Sequence, residues 1–365
     1  MQKNNNNAFK NVLTNSAEYG IISQRDFFER NIANKNNIST YYIVQNDDFV
    51  YNPRISNLAP YGPINRNKTG YTGIISPLYY VFRVLNINTA FIEWYFKTTC
   101  WHKFMYQHGD SGARSDRFSI KDNELKKLPI KLPADDMEQE KIAKTLTSLD
   151  NTLQLHERKC EELTLIKKAL LQKLFPKKDE IKPEVRYKNF SDAWEQRKLR
   201  EVVNFLDTLR KPLEGAKRVK GPYPYYGASG IVDYVDGYLF DEELILLSED
   251  GANITERNYP VCFLASGKYW VNNHAHVLKI KEDNDNNFIC NSLERKDYTK
   301  YNTGMAMPKL NKETCKGIPI MCPNYDEQKK IGNYFRKFDT LITLHQHKLE
   351  KLKQLKKFLL QNMFI

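Results

Sequence analysis

Residues 138–175 read EQEKIAKTLTSLDNTLQLHERKCEELTLIKKALLQKLF, and residues 327–364 read EQKKIGNYFRKFDTLITLHQHKLEKLKQLKKFLLQNMF. These two 38-residue segments align without a gap at an offset of 189 positions and share sixteen identical residues, including Glu138 with Glu327. A repeat with so long a period is unlike the solenoid repeats of about 20–50 residues. It predicts a chain of two halves, each a globular unit that ends in a long helix, and hence a pseudo-twofold symmetric fold.

Apolar residues recur along both copies at spacings of three and four, a pattern that places one narrow stripe on each helix. At about 1.5 Å per residue each helix would be about 57 Å long. Its apolar stripe would be exposed to water if the helix had no partner. We therefore predict that the two helices pair as an antiparallel coiled coil. A helix that packs on its own globular unit is the alternative. The predicted seam comprises Leu146, Leu149, Leu153, Leu163, Phe335, Phe338, Ile342 and Leu352.

Two histidines, His156 and His345, interrupt the stripe at matching positions of the repeat. A polar residue inside a coiled-coil seam commonly sets the register of the two helices. We predict this role, or a position on the flank of the helix, rather than a pair of metal ligands.

Composition limits the class of protein. The 365 residues are 41% hydrophobic and 12% aromatic, which suffices for two or three domains with real cores. No apolar run approaches about 18 residues and the N-terminus is polar, so we expect no membrane span, no signal peptide and a cytoplasmic location. The six cysteines form no CxxC pair, so we expect reduced thiols and no bound metal.

The net charge of +12 indicates an acidic partner such as nucleic acid. Residues 197–220 carry eight Lys or Arg against three Asp or Glu, which favours a one-sided contact with phosphates. Solvated lysines on a helix surface are a sufficient explanation for the basic run at 348–357.

A shorter repeated segment precedes each of the two long helices. Leu128-Pro129-Ile130 and Ile318-Pro319-Ile320 lie 190 positions apart, and each is predicted to be a strand that leads into the helix. Short β-rich runs separated by Gly, Asn and Asp turns predict that both globular units are α+β with mostly antiparallel sheets. The predicted boundaries are 1–137 for the first unit, 138–175 for the first helix, 176–182 for a linker, 183–326 for the second unit and 327–365 for the second helix.

Several sequence blocks resemble those of one known family. They are the repeated helix EQ-x-x-I…LH…KK-x-LLQ, the blocks at 12–28 and 48–67, the opening segment PEVRYKNF…WEQRKL at 183–199, and SEDGAN and GKYWVNNHAHV at 248–253 and 267–277. Over essentially its whole length the chain resembles the specificity subunit of type I restriction-modification systems. The resemblance implies two α/β target-recognition domains separated by the two paired helices.

The resemblance also implies a function. Two recognition domains held apart by a pair of helices would each contact a short stretch of double-stranded DNA, giving a bipartite asymmetric target with an unread spacer. The implied partners are two methyltransferase subunits and restriction or translocase subunits, which would use S-adenosylmethionine, ATP and Mg²⁺. The alternative is a truncated structural or regulatory coiled-coil partner of the methyltransferase that does not contact bases.

The chain departs from the family pattern in one place. The opening segment of the second half has no counterpart in the first half, where it would fall near Asn5, inside MQKNNNNAFK. We therefore predict that the first domain, residues 1–137, is N-terminally truncated and lacks its opening strand or strands.

Candidates for DNA contact are Arg, Lys, Asn and other polar side chains on glycine-bearing loops, since Arg suits guanine and Asn suits adenine. For each one, a turn-capping or core role is an equal alternative, most of all for Asn52 and Asn253. In the first unit they are Asn52, Arg54, Asn65, Arg66, Lys68, Arg114 and Arg117. In the second unit they are Lys217, Arg218, Lys220, Tyr226, Ser229, Lys268, Asn272, Asn273 and His274.

Catalytic motifs are missing from the sequence. It contains neither the Asn/Asp-Pro-Pro-Tyr/Phe motif of adenine methyltransferases nor the Gly-rich phosphate loop of P-loop ATPases. The pair Asp135-Asp136 fits capping of the first helix better than metal binding. We expect a non-catalytic subunit that binds no cofactor itself.

Overall fold

The computed structural model describes residues 2–27, 35–111, 116–177 and 180–364. The chain divides into two compact units. The first comprises Met1–Leu155 with Lys348–Ile365, and the second comprises His156–His347. Each long helix therefore contributes one of its halves to each unit.

The first unit contains small antiparallel sheets and short helices. Its sheets pair β1 with β2, β3 with β6, β8 with β9, and β5, β4 and β7 in that order. The strands are β1 (Leu13–Ser16), β2 (Gly20–Ser23), β3 (Tyr42–Val44), β4 (Phe49–Tyr51), β5 (Ile64–Arg66), β6 (Gly73–Ile75), β7 (Tyr80–Phe82), β8 (Asp110–Ser111) and β9 (Phe118–Ser119). The helices are α1 (Gln24–Phe27), α2 (Thr89–Phe96), α3 (His102–His108), α4 (Asp122–Leu125) and the long α5 (Asp136–Lys173).

The core of the first unit forms where β4, β5, α2 and α3 meet the two long helical segments. Phe49, Phe91 and Leu146 are fully buried in one cluster. Phe364 joins that cluster, and its ring centroid lies 5.1 Å from that of Phe91. Aromatic rings of this size supply most of the apolar area that a small core buries.

The second unit contains two four-stranded sheets, ordered β11-β18-β15-β16 and β13-β12-β17-β14, and the pair β10-β19. Its strands are β10 (Glu195–Lys198), β11 (Val203–Phe205), β12 (Lys220–Gly227), β13 (Gly230–Val235), β14 (Phe240–Asp241), β15 (Leu244–Ser248), β16 (Cys262–Ala265), β17 (Lys268–Val271), β18 (Ala275–Ile280) and β19 (Pro319–Cys322). Its helices are α6 (Leu199–Val202), α7 (Asn253–Glu256), α8 (Asn286–Glu294), α9 (Lys312–Lys316) and the long α10 (Tyr325–Asn362).

Both units mix helices with mainly antiparallel strands, so the predicted α+β class is confirmed. One of the named strand pairs is parallel: β12 and β17 run in the same direction, with Tyr225 opposite Trp270. Short 3-10 turns complete the described elements at Lys35–Thr40, Asp207–Leu209, Gly215–Lys217 and Thr299–Tyr301.

The two long helices have equal lengths of 38 residues. Each helix begins two residues before the start of its repeated segment and ends two residues before the end of that segment. Asp135 Oδ1 accepts a hydrogen bond from Met137 N at 2.8 Å, which confirms the predicted capping role. In the second copy Asn324 Oδ1 accepts from Glu327 N at 3.0 Å. Side-chain oxygens at these positions satisfy backbone donors that the helix itself leaves unpaired.

The helices contact each other in antiparallel order within each unit. In the second unit His156 Nδ1 lies 2.7 Å from His345 Nδ1, and Lys167 Nζ lies 2.5 Å from Asp339 Oδ1. The predicted polar contact between the histidines and the antiparallel pairing are therefore confirmed. Whether the side chains interlock as in a coiled coil remains a prediction.

The first unit repeats this arrangement, with Lys356 Nζ bound to Asp150 Oδ1. Burial along the predicted seam is uneven. Leu146, Leu149, Leu153, Leu163 and Phe335 are buried, whereas Phe338, Ile342 and Leu352 are half-buried. Leu146 and Phe335 occupy equivalent repeat positions, and each packs into the core of its own unit. The apolar stripe thus joins the helix to its globular unit as well as to the other helix.

A hydrogen bond that occurs twice shows how each unit is attached to its helix. Gln139 Oε1 accepts from Asn88 N at 3.1 Å in the first unit. Gln328 Oε1 accepts from Asp285 N at 3.3 Å in the second. Asn88 and Asp285 each cap the helix that follows, α2 or α8. The two units therefore share one attachment despite their different sequences.

The short repeated segment before each long helix forms a strand in only one of the two units. Residues Pro319–Cys322 form β19 and pair with β10. Residues 128–130 are not a strand, so that part of the prediction was wrong. The physical reason is the missing partner, because among the described residues of the first unit none occupies the place that β10 takes in the second.

Candidate nucleic-acid interface

In the first unit two arginines from the predicted set lie directly opposite each other. Arg54 and Arg117 form an isolated antiparallel bridge, and both side chains are exposed. Neither guanidinium has a carboxylate partner within the parts of the chain that the structure describes. Like charges at directly opposed positions repel each other, and a bound anion or an acceptor group would relieve that repulsion.

The other described candidates of the first unit have partners within the protein. Asn52 is buried, donates to Asn15 O at 2.8 Å and accepts from Arg54 N at 3.0 Å. Asn65 donates to Asn15 Oδ1 at 2.7 Å. Asn52 stabilises the turn that follows β4, and Asn65 joins β5 to the end of β1, so neither amide is among the proposed DNA contacts.

Two basic candidates of the first unit are neutralised by carboxylates. Arg66 contacts Asp47 at 2.5 Å and Glu93 at 3.4 Å, and its side chain is only 19% exposed. Lys68 lies 2.5 Å from the same Glu93. The predicted Arg114 lies outside the described residues.

In the second unit several candidates lie close together at one end of the sheet β13-β12-β17-β14, in the turns that follow the strands. Because β12 and β17 run parallel, the turns that follow them lie at the same end of the sheet. Ser229 lies in the first turn, and Asn273 and His274 lie in the second, all three exposed. His274 Nδ1 is 2.9 Å from Asp250 Oδ1, which brings a third loop to this edge. We call the loops at 228–230, 249–252 and 272–274 the loop edge.

Two more candidates at this edge have packing roles. Asn272 is buried, and its Oδ1 accepts from His274 N at 2.8 Å, which shapes the second turn. Tyr226 is half-buried with its ring 5.6 Å from that of Tyr269, and burial raises the pKa of Tyr226. These side chains hold the exposed ones in position.

The remaining basic candidates lie elsewhere on the same sheet. Lys220 begins β12, which its eight residues place about 20 Å from the loop edge. Lys268 begins β17, with its Nζ 4.9 Å from the centroid of the Tyr238 ring. Arg218 contacts Asp233 at 3.3 Å and stacks over Tyr225. Lys217 ends a 3-10 turn, and its side chain lies outside what the structure describes. The DNA-contact candidates of the second unit therefore form two separate groups rather than one cluster.

Behind the loop edge lies a buried ionic network that the sequence did not reveal. His276 Nδ1 is 2.8 Å from Asp207 Oδ2, and its Nε2 is 2.8 Å from Leu310 O. Arg210 donates to Glu249 at 2.7 Å and is only 12% exposed. Arg210 was counted in the basic run at 197–220, and the structure corrects this, because its charge is used internally.

Burial works against a charged His276 ring, but its contacts with Asp207 and Cys315 outweigh burial and raise the pKa of His276 to about 10. The pKa of Asp207 is lowered, since its contacts with His276 and Arg210 outweigh the burial that would raise it. Charged partners of this kind, each hydrogen-bonded, are stable inside a protein only as a complete set.

This pair predicts a pH dependence of stability. A folded-state pKa raised above the ordinary 6.5 gives a contribution that is complete below that pH and is lost as the pH rises through about 10. The unfolding free energy of the second unit should therefore fall between about pH 7 and 10.5 by more in the wild type than in His276→Gln. Denaturant titrations of both proteins across that range measure the difference. Parallel pH profiles would contradict a charged His276.

The described residues contain no cluster of three or more His, Cys, Asp or Glu side chains suited to a metal ion. None of the described helices is long and apolar enough to cross a membrane.

The fold is similar to that of a solved specificity subunit. It is similar to the S subunit of the type I restriction-modification system of M. genitalium, with a TM-score of 0.63 at 16% sequence identity over 92% of this chain and 87% of that chain. The model of the type I restriction modification DNA specificity domain matches twice, at residues 1–165 and 191–354, so the chain belongs to this family.

Curated relatives agree with this assignment. A type I restriction enzyme specificity subunit of Haemophilus influenzae is 39% identical over 137 residues, which are 38% of this chain and 35% of that protein. The MjaVIII specificity subunit of Methanocaldococcus jannaschii is 26% identical over 269 residues, 62% of this chain and 60% of that protein. The matched regions thus span between about a third and three fifths of the length of these relatives.

Proposed function

We propose that the chain is the DNA-recognition subunit of a type I restriction-modification complex. In this proposal each unit contacts one half of a bipartite, asymmetric target, and the stretch between the halves is not read. The observation that carries it is the opposed pair Arg54 and Arg117, two exposed and uncompensated guanidinium groups. A guanidinium can bind the two acceptors of guanine in the major groove or a backbone phosphate, and both would relieve the repulsion.

The loop edge is the proposed contact surface of the second unit. Ser229, Asn273 and His274 are exposed there and are supported from behind by the network of Asp207 and His276. Since the side chains exposed in the two units differ, the two half-sites would differ in sequence, as an asymmetric target requires. Lys220, far from the loop edge, would contact phosphates rather than bases.

The chemistry is proposed to reside in partner subunits. The chain would dock two methyltransferase subunits, which supply S-adenosylmethionine and flip the target adenine. Restriction or translocase subunits with ATP and Mg²⁺ would complete the assembly. The chain itself is proposed to be non-catalytic, since it lacks the motifs for methyl transfer and ATP hydrolysis.

Three substitutions separate base contacts from phosphate contacts. Arg54→Ala should relax one position of the first half-site, a loss of about 1–3 kcal/mol of discrimination. Arg54→Lys keeps the charge but not the two-pronged donor, so it should relax the same position without changing the salt dependence. Lys220→Gln should weaken binding to all sequences alike and reduce the salt slope by about one.

The measurement is DNA binding by the complex assembled with its methyltransferase partners, over a series of single-base target variants and salt concentrations. Lys188→Gln, which removes an exposed charge outside the candidate set, is the control and should change neither property. The same affinity loss on every target from all three substitutions would contradict the assignment. If none of them alters binding or methylation, the alternative of a structural partner that does not contact bases is correct.

A further inference from the structure

In the second unit the opening segment, residues 183–205, covers one side of the core. Strand β10 pairs with β19, and β11 pairs with β18 at the edge of the four-stranded sheet. The segment also contributes fully or nearly fully buried side chains, namely Trp194, Leu199, Val202 and Val203. This segment therefore supplies both backbone partners and apolar cover.

The same segment neutralises a buried carboxylate. Arg186 donates from Nε and Nη2 to the two oxygens of Glu327, both at 2.8 Å. Glu327 lies in the first turn of α10 and has no exposed surface. A two-pronged pair of this kind is strong and directional.

The first unit contains the equivalents of the groups that residues 183–205 contact in the second unit. Glu138 is the repeat equivalent of Glu327, but it is exposed and has no ion-pair partner among the described residues. Residues 128–132 are equivalent to 318–322, yet they pair with no strand within the described chain. Their side chains are correspondingly less buried, with Leu132 41% exposed where Cys322 is 4% exposed.

A second backbone edge is open as well. Strand β18 lies between β15 and β11, whereas β7, which likewise precedes the attached helix, pairs with β4 on one side only among the described strands. Residues 2–12 do not fill this place. Gln2 O accepts from Ile43 N at 2.8 Å and Asn11 O accepts from Ile74 N at 2.8 Å, so they pair with β3 and β6 instead.

We propose that this open edge, made of residues 128–132, Glu138 and the outer side of β7, binds an extended polypeptide segment as an added strand. The segment would carry an arginine ahead of an apolar-rich strand, as residues 183–205 of this chain do. Its arginine would pair with Glu138, and its backbone would pair with the unsatisfied strand edges, as in β-strand addition. A second copy of the chain is a poorer occupant, because each copy uses its own 183–205 in its second unit.

The probe is a labelled synthetic peptide of residues 183–207, added to the full chain. We expect binding in the micromolar range, with Glu138→Gln reducing affinity at least about tenfold because a charge-assisted bond is lost. The peptide that carries Arg186→Ala should be weakened to a similar degree. Glu140→Gln, which removes the neighbouring exposed carboxylate paired with Lys144, is the matched control and should bind like the wild type.

Hydrogen exchange locates the bound peptide. Added protection at residues 80–82 and 128–132 supports the proposal, because these are the open backbone edges. Three results would overturn it. They are no binding at about 100 μM peptide, equal binding by Glu138→Gln and the wild type, and protection changes confined to 195–205, where the peptide would merely replace the chain's own segment.

Discussion

Replacing Arg186 with alanine should cost the second unit about 3–5 kcal/mol of unfolding free energy. Glu327 is completely buried, and Arg186 is the cation that binds both of its oxygens. Without that cation the buried carboxylate loses both charge-assisted hydrogen bonds and keeps its burial, which costs free energy. The loss should appear as a lower denaturant midpoint for the second unit.

A double substitution distinguishes the lost ion pair from lost packing. Arg186→Met with Glu327→Leu removes both charges and keeps apolar volume, so it should restore much of the stability that Arg186→Ala removes. Glu138→Gln, at the exposed equivalent position, should change stability by less than about 0.5 kcal/mol. Arg186→Ala with stability within about 1 kcal/mol of the wild type would show that the pair contributes little.

The second large effect concerns the equivalent helix positions Leu146 and Phe335. Both are fully buried, but Leu146 packs with Phe91 in the first unit and Phe335 packs with Phe175 in the second. Truncating a core residue removes apolar contact and leaves a cavity, which costs about 2–5 kcal/mol for leucine and about 3–5 kcal/mol for phenylalanine. Leu146→Ala should therefore destabilise the first unit, and Phe335→Ala the second.

Hydrogen exchange followed separately in 91–96 and 288–293 measures this selectivity, since each range belongs to the core helix of one unit. Leu341→Ala, at a residue on α10 that is 44% exposed, is the control and should affect neither. Equal destabilisation of both units by each core substitution would mean that the stripe stabilises the paired helices as one body and not the individual domains.

The repeated helix is what the sequence predicts best. Its pattern depends on spacing alone, and an amphipathic helix of this length has few alternatives. The short β-rich runs between turn residues were likewise a local signal, and Phe49–Tyr51 is one of the runs that form a strand. Neither feature depends on a distant partner.

Features that depend on distant partners were not predictable in the same way. Residues 128–130 resemble 318–320, but a strand needs a neighbour, and the first unit lacks the neighbour that β10 supplies in the second. Arg66 was a candidate for DNA contact and Arg210 was counted in the basic run at 197–220, yet carboxylates distant in sequence neutralise them. No local pattern reveals such pairs, so the sequence overestimated the number of free basic side chains.

We propose that this chain determines which DNA sequence its complex modifies. The most direct measurement is a genome-wide map of methylated adenines by long-read sequencing, made in cells with the gene, without it, and with Arg54→Ala. We predict one bipartite asymmetric methylated site that disappears without the gene and is relaxed at a single position of one half by Arg54→Ala. An adenine methylation map that stays the same after the gene is deleted would contradict the claim.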